Sequence, residues 1–285
     1  MGEKKNRRET FLLAHPVCVF CGGGAKATTI EHCPPRSMFQ GRQWPEGFEF
    51  PACDSCNHGT SDQDLLVAML ARMDPFENQG NSDGRLAGIM EMVHEQFPEL
   101  FAKMLPSAAE ARRKNRELGL QRKVGQTHQD VGVAKIPQQL KSAVATFALK
   151  LAKAIFYLVS KQPFPNEGCL LLNWFTNADY LRDGKYVAFE SLRGVAGAAP
   201  PLKRSGKFLN NQFEYKLSIS TDLTTFVLQA RFGRSFGVVI FGCALPGHLE
   251  AIVEKLTQET GKDGPFSILQ SPTMKRIENE DYVGM

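Results

Sequence analysis

The stretch that decides the fold of this chain is CVFCGGGAKATTIEHCPPRSMFQGRQWPEGFEFPACDSCN, residues 18–57. It begins with one Cys-x-x-Cys pair, Cys18 and Cys21, and ends with another, Cys53 and Cys56. Four thiolates in two such pairs are typical of a structural zinc site, to which each pair contributes a tight knuckle. The 31 residues between the pairs exceed the roughly 15–20 of a simple zinc ribbon. We therefore expect further structure to be folded between them.

Side chains suited to catalysis lie inside this insertion and directly after it. The β-prone run TTI at 28–30 leads into Glu31 and His32, and Cys33 with the two prolines that follow ends the strand. Asn57 comes directly after the second cysteine pair. One zinc-stabilised unit thus holds a carboxylate, an imidazole and an amide. For His32 the alternatives are a structurally satisfied histidine and a zinc ligand that replaces one sulfur.

The composition is that of an ordinary globular protein. Of its 285 residues, 42% are hydrophobic and 22% are charged, enough for one large domain or two modest ones. No run approaches the roughly 18 consecutive apolar residues of a membrane span. The N-terminal run MGEKKNRRETF lacks the apolar core of a signal peptide. We expect a cytoplasmic protein that does not enter a membrane.

The cysteine count supports metal binding. Seven cysteines are an odd number, which fits metal thiolates in a reducing compartment better than a disulfide framework. The two pairs are expected to bind zinc, and buried free thiols are the alternative. Cys33, Cys169 and Cys243 stand alone, and we interpret them as small core residues.

Positive charge is concentrated in one segment. The net charge of the chain is +4, whereas residues 101–125 hold seven basic side chains against two acidic ones. The basic residues are Lys103, Arg112, Arg113, Lys114, Arg116, Arg122 and Lys123. Such a local excess attracts polyanions, including nucleic acid. The alternative is the solvated face of a surface helix.

The pattern of apolar residues predicts an α+β fold in three parts, with boundaries at 1–75, 76–137 and 138–285. In the first part we expect a short basic helix or arm over 1–16 and an apolar helix that runs from Ser61 to a break at Asp74.

The second and third parts differ in character. Residues 83–105 predict one or two helices, broken near Pro98, and 138–162 predict a long core helix. The β-rich runs of the third part predict an antiparallel sheet; they lie at 169–175, 185–192, 213–220, 224–232 and 235–245. Residues 248–261 predict a helix, and the tail beyond is expected to be irregular.

Three motifs resemble the HNH endonuclease family and its ββα-metal fold. They are Cys-x-x-Cys-Gly at 18–22, Glu-His-x-Pro-Pro-x-x-x-Phe at 31–39 and Pro-x-Cys-x-x-Cys-Asn at 51–57. They look like the bacterial and phage subset that carries an EHxxP variant, and the resemblance covers about residues 15–75. It implies a zinc-stapled ββα module, followed here by a helical segment and a sheet-containing C-terminal region.

The resemblance also implies roles for individual residues. His32 matches the general base that takes a proton from the attacking water, a task suited to a near-neutral imidazole. Glu31 and Asn57 match the ligands of a catalytic Mg²⁺ or Mn²⁺, while the cysteine sulfurs hold a structural zinc. His58, Asp62 and Asp64, all near the helix start, are weaker candidates for a further ligand of the catalytic ion, and of these we favour Asp62 or His58.

One position departs from the family pattern. The middle Asn or His of the family falls near Phe48 or Glu49, and neither residue has the expected side chain. That residue of the family orients the base through the loop it holds. Trp44 is interpreted as a packing residue, and Arg36 either as a phosphate contact or as an ordinary surface arginine.

The leading hypothesis is therefore a metal-dependent HNH endonuclease that hydrolyses phosphodiester bonds in DNA, most simply double-stranded DNA. Arg36 and the basic residues from Arg112 to Lys123 are its candidate nucleic-acid contacts. One alternative is a catalytically silent zinc module that binds nucleic acid through the segment 101–125. Another is an interaction protein with a structural zinc, whose β-rich part forms a homodimer or binds a protein partner.

Overall fold

In the computed structural model, the described residues are 2–73, 82–190, 192, 194–248, 251, 267–270 and 276–277. Helices and antiparallel strands are both abundant in them, which confirms the α+β class. The helices are α1 (Gly2–Ala14), α2 (Asp54–His58), α3 (Ser61–Arg72), α4 (Arg85–Gln96), α5 (Leu100–Met104), α6 (Ala108–Glu117), α7 (Gln138–Ser160), α8 (Asn177–Asp183) and α9 (Val187–Glu190). The strands are β1 (Thr29–His32), β2 (Glu49–Ala52), β3 (Cys169–Thr176), β4 (Lys203–Arg204), β5 (Lys207–Phe208), β6 (Glu214–Ile219), β7 (Thr225–Phe232), β8 (Phe236–Cys243), β9 (Ser267–Gln270) and β10 (Arg276–Ile277).

The cysteine-rich stretch forms an antiparallel hairpin of β1 and β2, in register from the pair Thr29–Ala52 to the pair His32–Glu49. The long connection between the strands contains short 3-10 helices at Arg36–Met38 and Gln40–Arg42. After β2 the chain turns directly into α2 and α3.

The connection is held to α3 by one buried arginine. The Arg72 side chain is 1% exposed. Its Nε donates to the Ser37 carbonyl at 2.6 Å, and its Nη1 lies 2.7 Å from Asp83 Oδ1. A guanidinium in this position satisfies carbonyls that would otherwise be buried without donors. Arg72 therefore fixes the loop that follows His32.

The larger sheet has the strand order β10-β9-β3-β8-β7-β6, and each described pair is antiparallel. The helix α7 packs on this sheet, and the Phe147 ring lies 5.3 Å from that of Phe232. On its other side α7 packs against α3. One hydrophobic core runs through the cysteine-rich stretch, α3, α7 and the sheet.

The helix α7 is long and apolar enough to cross a membrane by length and composition alone, and 67% of its most apolar window is buried within the protein. Its fully buried residues include Leu140, Val144, Phe147, Leu151 and Ile155. These residues are on the predicted core face. The expectation of a long core helix is thus confirmed.

Most of the predicted elements are found. The helix from Ser61, the break near Pro98, and strands within four of the five β-rich runs are confirmed. The predicted strand at 185–192 is wrong, because Tyr186 lies in a helical connection and stacks on Phe175 of β3 with ring centroids 4.7 Å apart.

Other expectations concern the chain ends and the division into parts. The tail carries β9 and β10, so the expectation that it is irregular was wrong there. The predicted break at Asp74 and most of the predicted helix at 248–261 lie outside the described residues. The boundaries at 75 and 137 stay predictions.

Candidate functional site

The four paired cysteines meet at one point. The sulfurs of Cys18, Cys21, Cys53 and Cys56 all lie within 4.8 Å of one another. A tetrahedral zinc with Zn–S bonds of about 2.3 Å places its sulfurs about 3.8 Å apart. The set of soft thiolate donors and its dimensions therefore fit zinc, and among the described residues no histidine joins this cluster.

Backbone geometry shapes the first knuckle. The amides of Gly23 and Gly24 donate to the carbonyls of Cys18 and Cys21 at 2.9 and 3.1 Å. Gly22 and Gly23 have φ values of +62° and +84°, a region that residues with a Cβ rarely adopt. The glycines allow the chain to fold back within a few residues, so that both sulfurs point to the same side.

A hydrogen bond between two cysteines of the cage favours the thiolate form of one of them. A hydrogen bond from Cys56 lowers the pKa of Cys18 to about 4, despite its burial. The same bond raises the pKa of the Cys56 thiol. Zinc replaces such shared protons when it binds thiolates.

A buried lysine lies beside the cage. The Lys153 Nζ of α7 donates to the Phe20 carbonyl at 2.7 Å, between the cysteines of the first pair. Burial lowers the pKa of Lys153, and the charges of Cys56, Cys21 and Cys18 act in the opposite direction. Because a zinc with four thiolates carries two net negative charges, this ammonium compensates part of the charge.

We expect the substitution Lys153→Met to weaken zinc binding. The side chain keeps its volume but loses its charge and its bond to the knuckle, and changes around the ligands typically reduce metal affinity by about 10–100-fold. Competition with a chromophoric zinc chelator measures this. Lys161→Met removes one lysine charge from the end of the same helix and should leave the affinity unchanged; equal affinities for all three proteins would contradict the role of Lys153.

The strand β1 presents its side chains to two faces. Thr29 and Glu31 are buried, while Ile30 and His32 are half-buried, as the alternation along a strand requires. Asn57 Nδ2 donates to the Thr29 hydroxyl at 2.9 Å. The Asn57 amide and the His32 imidazole therefore lie on opposite faces of β1.

Glu31 is bound by a lysine rather than by Asn57. Its Oε1 lies 2.5 Å from Nζ of Lys150, a residue in the middle of α7. The same ammonium lies 2.7 Å from Asp64 Oδ2 and 2.8 Å from the Thr60 hydroxyl. Burial raises the pKa of Glu31, and Lys150 offsets part of this effect.

The remaining candidate ion ligands make no hydrogen bond to Glu31 among the described residues, although His58 is near enough for its charge to lower the Glu31 pKa. His58 is exposed, and its Nδ1 lies 3.0 Å from the Asp54 carbonyl. Asp62 is exposed in the first turn of α3. The structure does not bring either residue into the hydrogen-bonded group around Glu31.

The contacts of Glu31 and Asn57 bear on whether the expected divalent ion fits between them. Mg²⁺ and Mn²⁺ need oxygen donors. The Glu31 carboxylate already binds the Lys150 ammonium through Oε1, whereas Asn57 contacts Thr29 through its NH2 group, and that contact leaves its amide oxygen for an ion. The charge of Lys150, and not the position of Asn57, is therefore what does not fit a divalent ion at Glu31. That site stays a prediction from the resemblance, and no step is derived from it.

His32 lies among aromatic and charged side chains. Its ring meets that of Trp44 edge to face, with centroids 4.7 Å apart. Its Nε2 lies 3.6 Å from Glu49 Oε1, directly across the hairpin, and Arg7 binds the other oxygen of Glu49 at 2.9 Å. Glu49 thus faces the imidazole from the neighbouring strand.

Burial and nearby arginines keep His32 neutral. Burial and the charge of Arg36, with a smaller contribution from Arg204, lower the pKa of His32 to about 4, although Glu49 acts in the opposite direction. At neutral pH the ring is therefore uncharged and able to accept a proton.

Arg204 reaches this site from a distant part of the sequence. Its guanidinium carbon lies 3.9 Å from the centre of the Trp44 ring, and that of Arg36 lies 5.0 Å away. The β4–β5 hairpin is docked by Glu46, whose amide donates to the Lys203 carbonyl and whose carboxylate accepts from the Ser205 amide, both at 2.9 Å.

Further positive charge lies next to this group. The Arg42 pKa is lowered by burial and by the charges of Arg36 and Arg85, so these three guanidinium groups are close enough to act on one another. Arg36 and Arg204 act on His32, and Arg42 and Arg85 are close to Arg36; we call these four residues, Arg36, Arg42, Arg85 and Arg204, the arginine face. Such a cluster lowers the cost of bringing a phosphate to the imidazole.

The basic segment predicted from the sequence is exposed as expected. Its side chains on α6 and after it include exposed Arg112, Arg113, Arg116, Arg122 and Lys123. Lys114 is half-buried and pairs with Glu117 at 3.3 Å. No contact between this segment and His32 is found among the described residues.

The sequence reasoning missed Lys150, Arg204 and the orienting role of Glu49, and it treated Trp44 as a packing residue only. The role of Glu49 could have been predicted from the sequence. Antiparallel pairing of the strand that ends at His32 with the strand that begins at Glu49 places these two residues opposite each other. Lys150 and Arg204 lie far along the chain and have no local signal that points to the site.

Comparison with known proteins adds no relative. No protein-family model, no curated protein and no solved structure matches the chain. The arguments about function therefore rest on the residues and their geometry.

Proposed function

We propose that the protein is a zinc-scaffolded endonuclease of the HNH type, which hydrolyses phosphodiester bonds of DNA with His32 as general base. The observation that carries the proposal is the half-buried His32 imidazole, which meets the Trp44 ring edge to face and faces Glu49 across the hairpin, while Arg36 and Arg204 cover the same Trp44 ring. The motifs at 18–22, 31–39 and 51–57 support the same family.

In this mechanism the water oxygen forms a bond to phosphorus while His32 takes a proton from the water. The bond between phosphorus and the leaving sugar oxygen breaks, and solvent supplies a proton to that oxygen. Arg36 and Arg204 stabilise the charge that develops on the phosphoryl oxygens. The zinc holds the hairpin in place and takes no part in the reaction.

The low pKa of the free imidazole is consistent with this task. Burial lowers this pKa most, and the charges of Arg36 and Arg204 add to the effect; a bound phosphodiester would compensate the charge of the two arginines. The pKa of His32 then rises in the complex towards the range in which a base is effective. Glu49 is the positioning residue, because its carboxylate faces Nε2 and leaves Nδ1 for the water.

The arginine face supports DNA as the partner. Phosphate contacts by arginine supply affinity that falls as salt rises. The Trp44 ring is covered by Arg204 and Arg36, and these cation–π contacts hold the two guanidinium groups in place on this face. The segment 101–125 is a second exposed basic region. Binding of double-stranded DNA can therefore be tested at this segment and at the arginine face.

We expect Arg204→Ala to weaken DNA binding about 3–10-fold and to reduce the slope of log affinity against log salt by about one. Fluorescence anisotropy with a labelled duplex measures both quantities. Lys185→Ala removes one exposed charge outside the arginine face and is the matched control. If Arg112→Ala reduces the slope and Arg204→Ala does not, the segment 101–125 binds the DNA instead.

The experiment that tests the activity uses zinc-loaded protein and a quenched fluorescent DNA, with and without added Mg²⁺ or Mn²⁺. The proposal predicts a rise in fluorescence that depends on His32. A protein that binds the DNA but never cleaves it would contradict the proposal.

A second candidate function is a silent zinc module that binds nucleic acid without cleaving it. One observation favours it: Lys150 occupies the carboxylate that the resemblance assigns to the catalytic ion. The same assay decides between the two, because only the endonuclease releases the fluorophore.

A further inference from the structure

The ammonium of Lys150 is fully satisfied by oxygen atoms. A lysine has three N–H donors, and three acceptors surround this one: Glu31 Oε1 at 2.5 Å, Asp64 Oδ2 at 2.7 Å and the Thr60 hydroxyl at 2.8 Å. The acceptors come from β1, from α3 and from the residue before α3. Lys150 of α7 therefore bonds to β1 and to the start of α3 at the same time, unlike a typical surface lysine.

The group is shielded from water. The exposed fractions of the side chains are 4% for Lys150, 10% for Glu31 and 16% for Asp64. Although burial acts to lower the pKa of Lys150, the charges of Asp64 and Glu31 outweigh it and raise that pKa. Lys150 is therefore charged, and it neutralises one of the two carboxylates.

The same oxygens would suit a hard cation. Mg²⁺ and Mn²⁺ prefer carboxylate and hydroxyl oxygens, and Glu31, Asp64 and Thr60 supply both kinds. The second oxygen of Asp64, Oδ1, is buried and has no hydrogen-bond partner among the residues that the structure describes. A divalent ion and the ammonium would repel each other strongly at this separation.

We propose that the ammonium of Lys150 takes the place of a divalent ion in this site, so that the wild-type protein binds no Mg²⁺ or Mn²⁺ at Glu31 and Asp64. Lys150 ties the hairpin to α7 as an ionic link and serves as a permanent cation. Glu31 is then a structural residue. The inference concerns cation binding and holds whether or not the protein cleaves DNA.

The proposal predicts a gain of function. Replacement of Lys150 by alanine removes the competing charge and leaves space beside two carboxylates, which should create a site for one Mn²⁺ per chain. Lys150→Met removes the charge but fills the space, and is the matched control. The cysteine cage keeps its zinc, because thiolates favour zinc over Mn²⁺.

Mn²⁺ binding to the zinc-loaded full chain is measured by the loss of the free-ion electron paramagnetic resonance signal. The proposal predicts no saturable site in the wild type and one site in Lys150→Ala, bound at least about tenfold more tightly than by Lys150→Met. The added substitution Asp64→Asn should abolish that site.

The wild type alone can overturn the proposal. One Mn²⁺ bound per wild-type chain, and lost in Glu31→Gln, would show that the ion and Lys150 coexist. A folded Lys150→Ala protein without a Mn²⁺ site would also contradict it. If Lys150→Ala unfolds because the carboxylates are uncompensated, refolding by Mn²⁺ supports the proposal, and failure of Mn²⁺ to refold it contradicts the proposal.

Discussion

Replacement of Cys56 by serine is expected to remove the zinc and to unfold the cysteine-rich stretch. The hairpin is short and shares its hydrophobic core with α3 and α7, so the metal is expected to supply much of the free energy that keeps the cysteine knuckles folded. We expect a loss on the order of 5 kcal/mol or more, seen as a fall in Tm of at least about 10 °C. Differential scanning calorimetry and zinc analysis on the same sample measure the two effects.

The control for this substitution is Cys169→Ala. Cys169 is a buried cysteine in the large sheet, and its replacement removes a sulfur outside the cage. It should keep one zinc per chain. A Cys56→Ser protein that keeps both its zinc and its Tm would contradict the assignment of the cage.

The substitution His32→Ala is expected to reduce phosphodiester cleavage by about 100-fold or more, because a general base contributes roughly 10²–10⁴ to the rate. The zinc content should not change, since His32 is outside the cage. Single-turnover cleavage of a fluorescent DNA measures the rate. His94→Ala, which removes an exposed histidine on α4, is the matched control and should cleave as the wild type does.

The pH dependence gives an independent check of the base. The folded pKa of His32, about 4, lies below the ordinary value near 6.5. The imidazole is therefore neutral above this low pKa and becomes protonated only as the pH falls towards it. The acid limb of kcat/KM should have its midpoint well below pH 6.5, and Arg36→Ala should move it upward. The same acid midpoint in the wild type and in Arg36→Ala would contradict the role of His32 as the base.

The low pKa of His32 also makes the stability of the folded state depend on pH. Between the two pKa values the unfolded chain binds the proton and the folded chain does not, so His32 makes the folded state less stable as the pH falls from about 6.5 towards 4. His32→Ala should reduce this acid sensitivity in urea unfolding, whatever its effect on cleavage.

The zinc cage could be predicted from the sequence because its information is local. Two Cys-x-x-Cys pairs specify four sulfurs by spacing alone, and the structure brings these sulfurs together. The hairpin between them follows from a β-prone run that ends in prolines. The long core helix α7 was equally predictable, since its apolar residues repeat along one face.

The surroundings of Glu31 and His32 could not be predicted. Lys150 is on the face of α7 that meets α3, and in the sequence it reads as an ordinary lysine in an apolar helix. Arg204 is in a two-residue strand, too short for any periodic signal. Lys150 and Arg204 reach the site because elements distant in the sequence pack together. Neither secondary-structure propensity nor the spacing of residues predicts such packing.

The error at 185–192 has a local cause. A short run that contains aromatic and β-branched residues fits a strand and a buried helical turn equally well. Tyr186 and Phe189 both pack on Phe175 of β3, and this placement of the rings favours a helical connection over another strand.

The most direct test of the central claim is the fate of supercoiled plasmid DNA incubated with zinc-loaded wild-type protein and, in parallel, with His32→Ala of equal zinc content. The account predicts that the wild type converts the plasmid to nicked or linear forms and that the variant leaves it supercoiled. Equal nicking by both proteins, or binding without nicking by either, would contradict it.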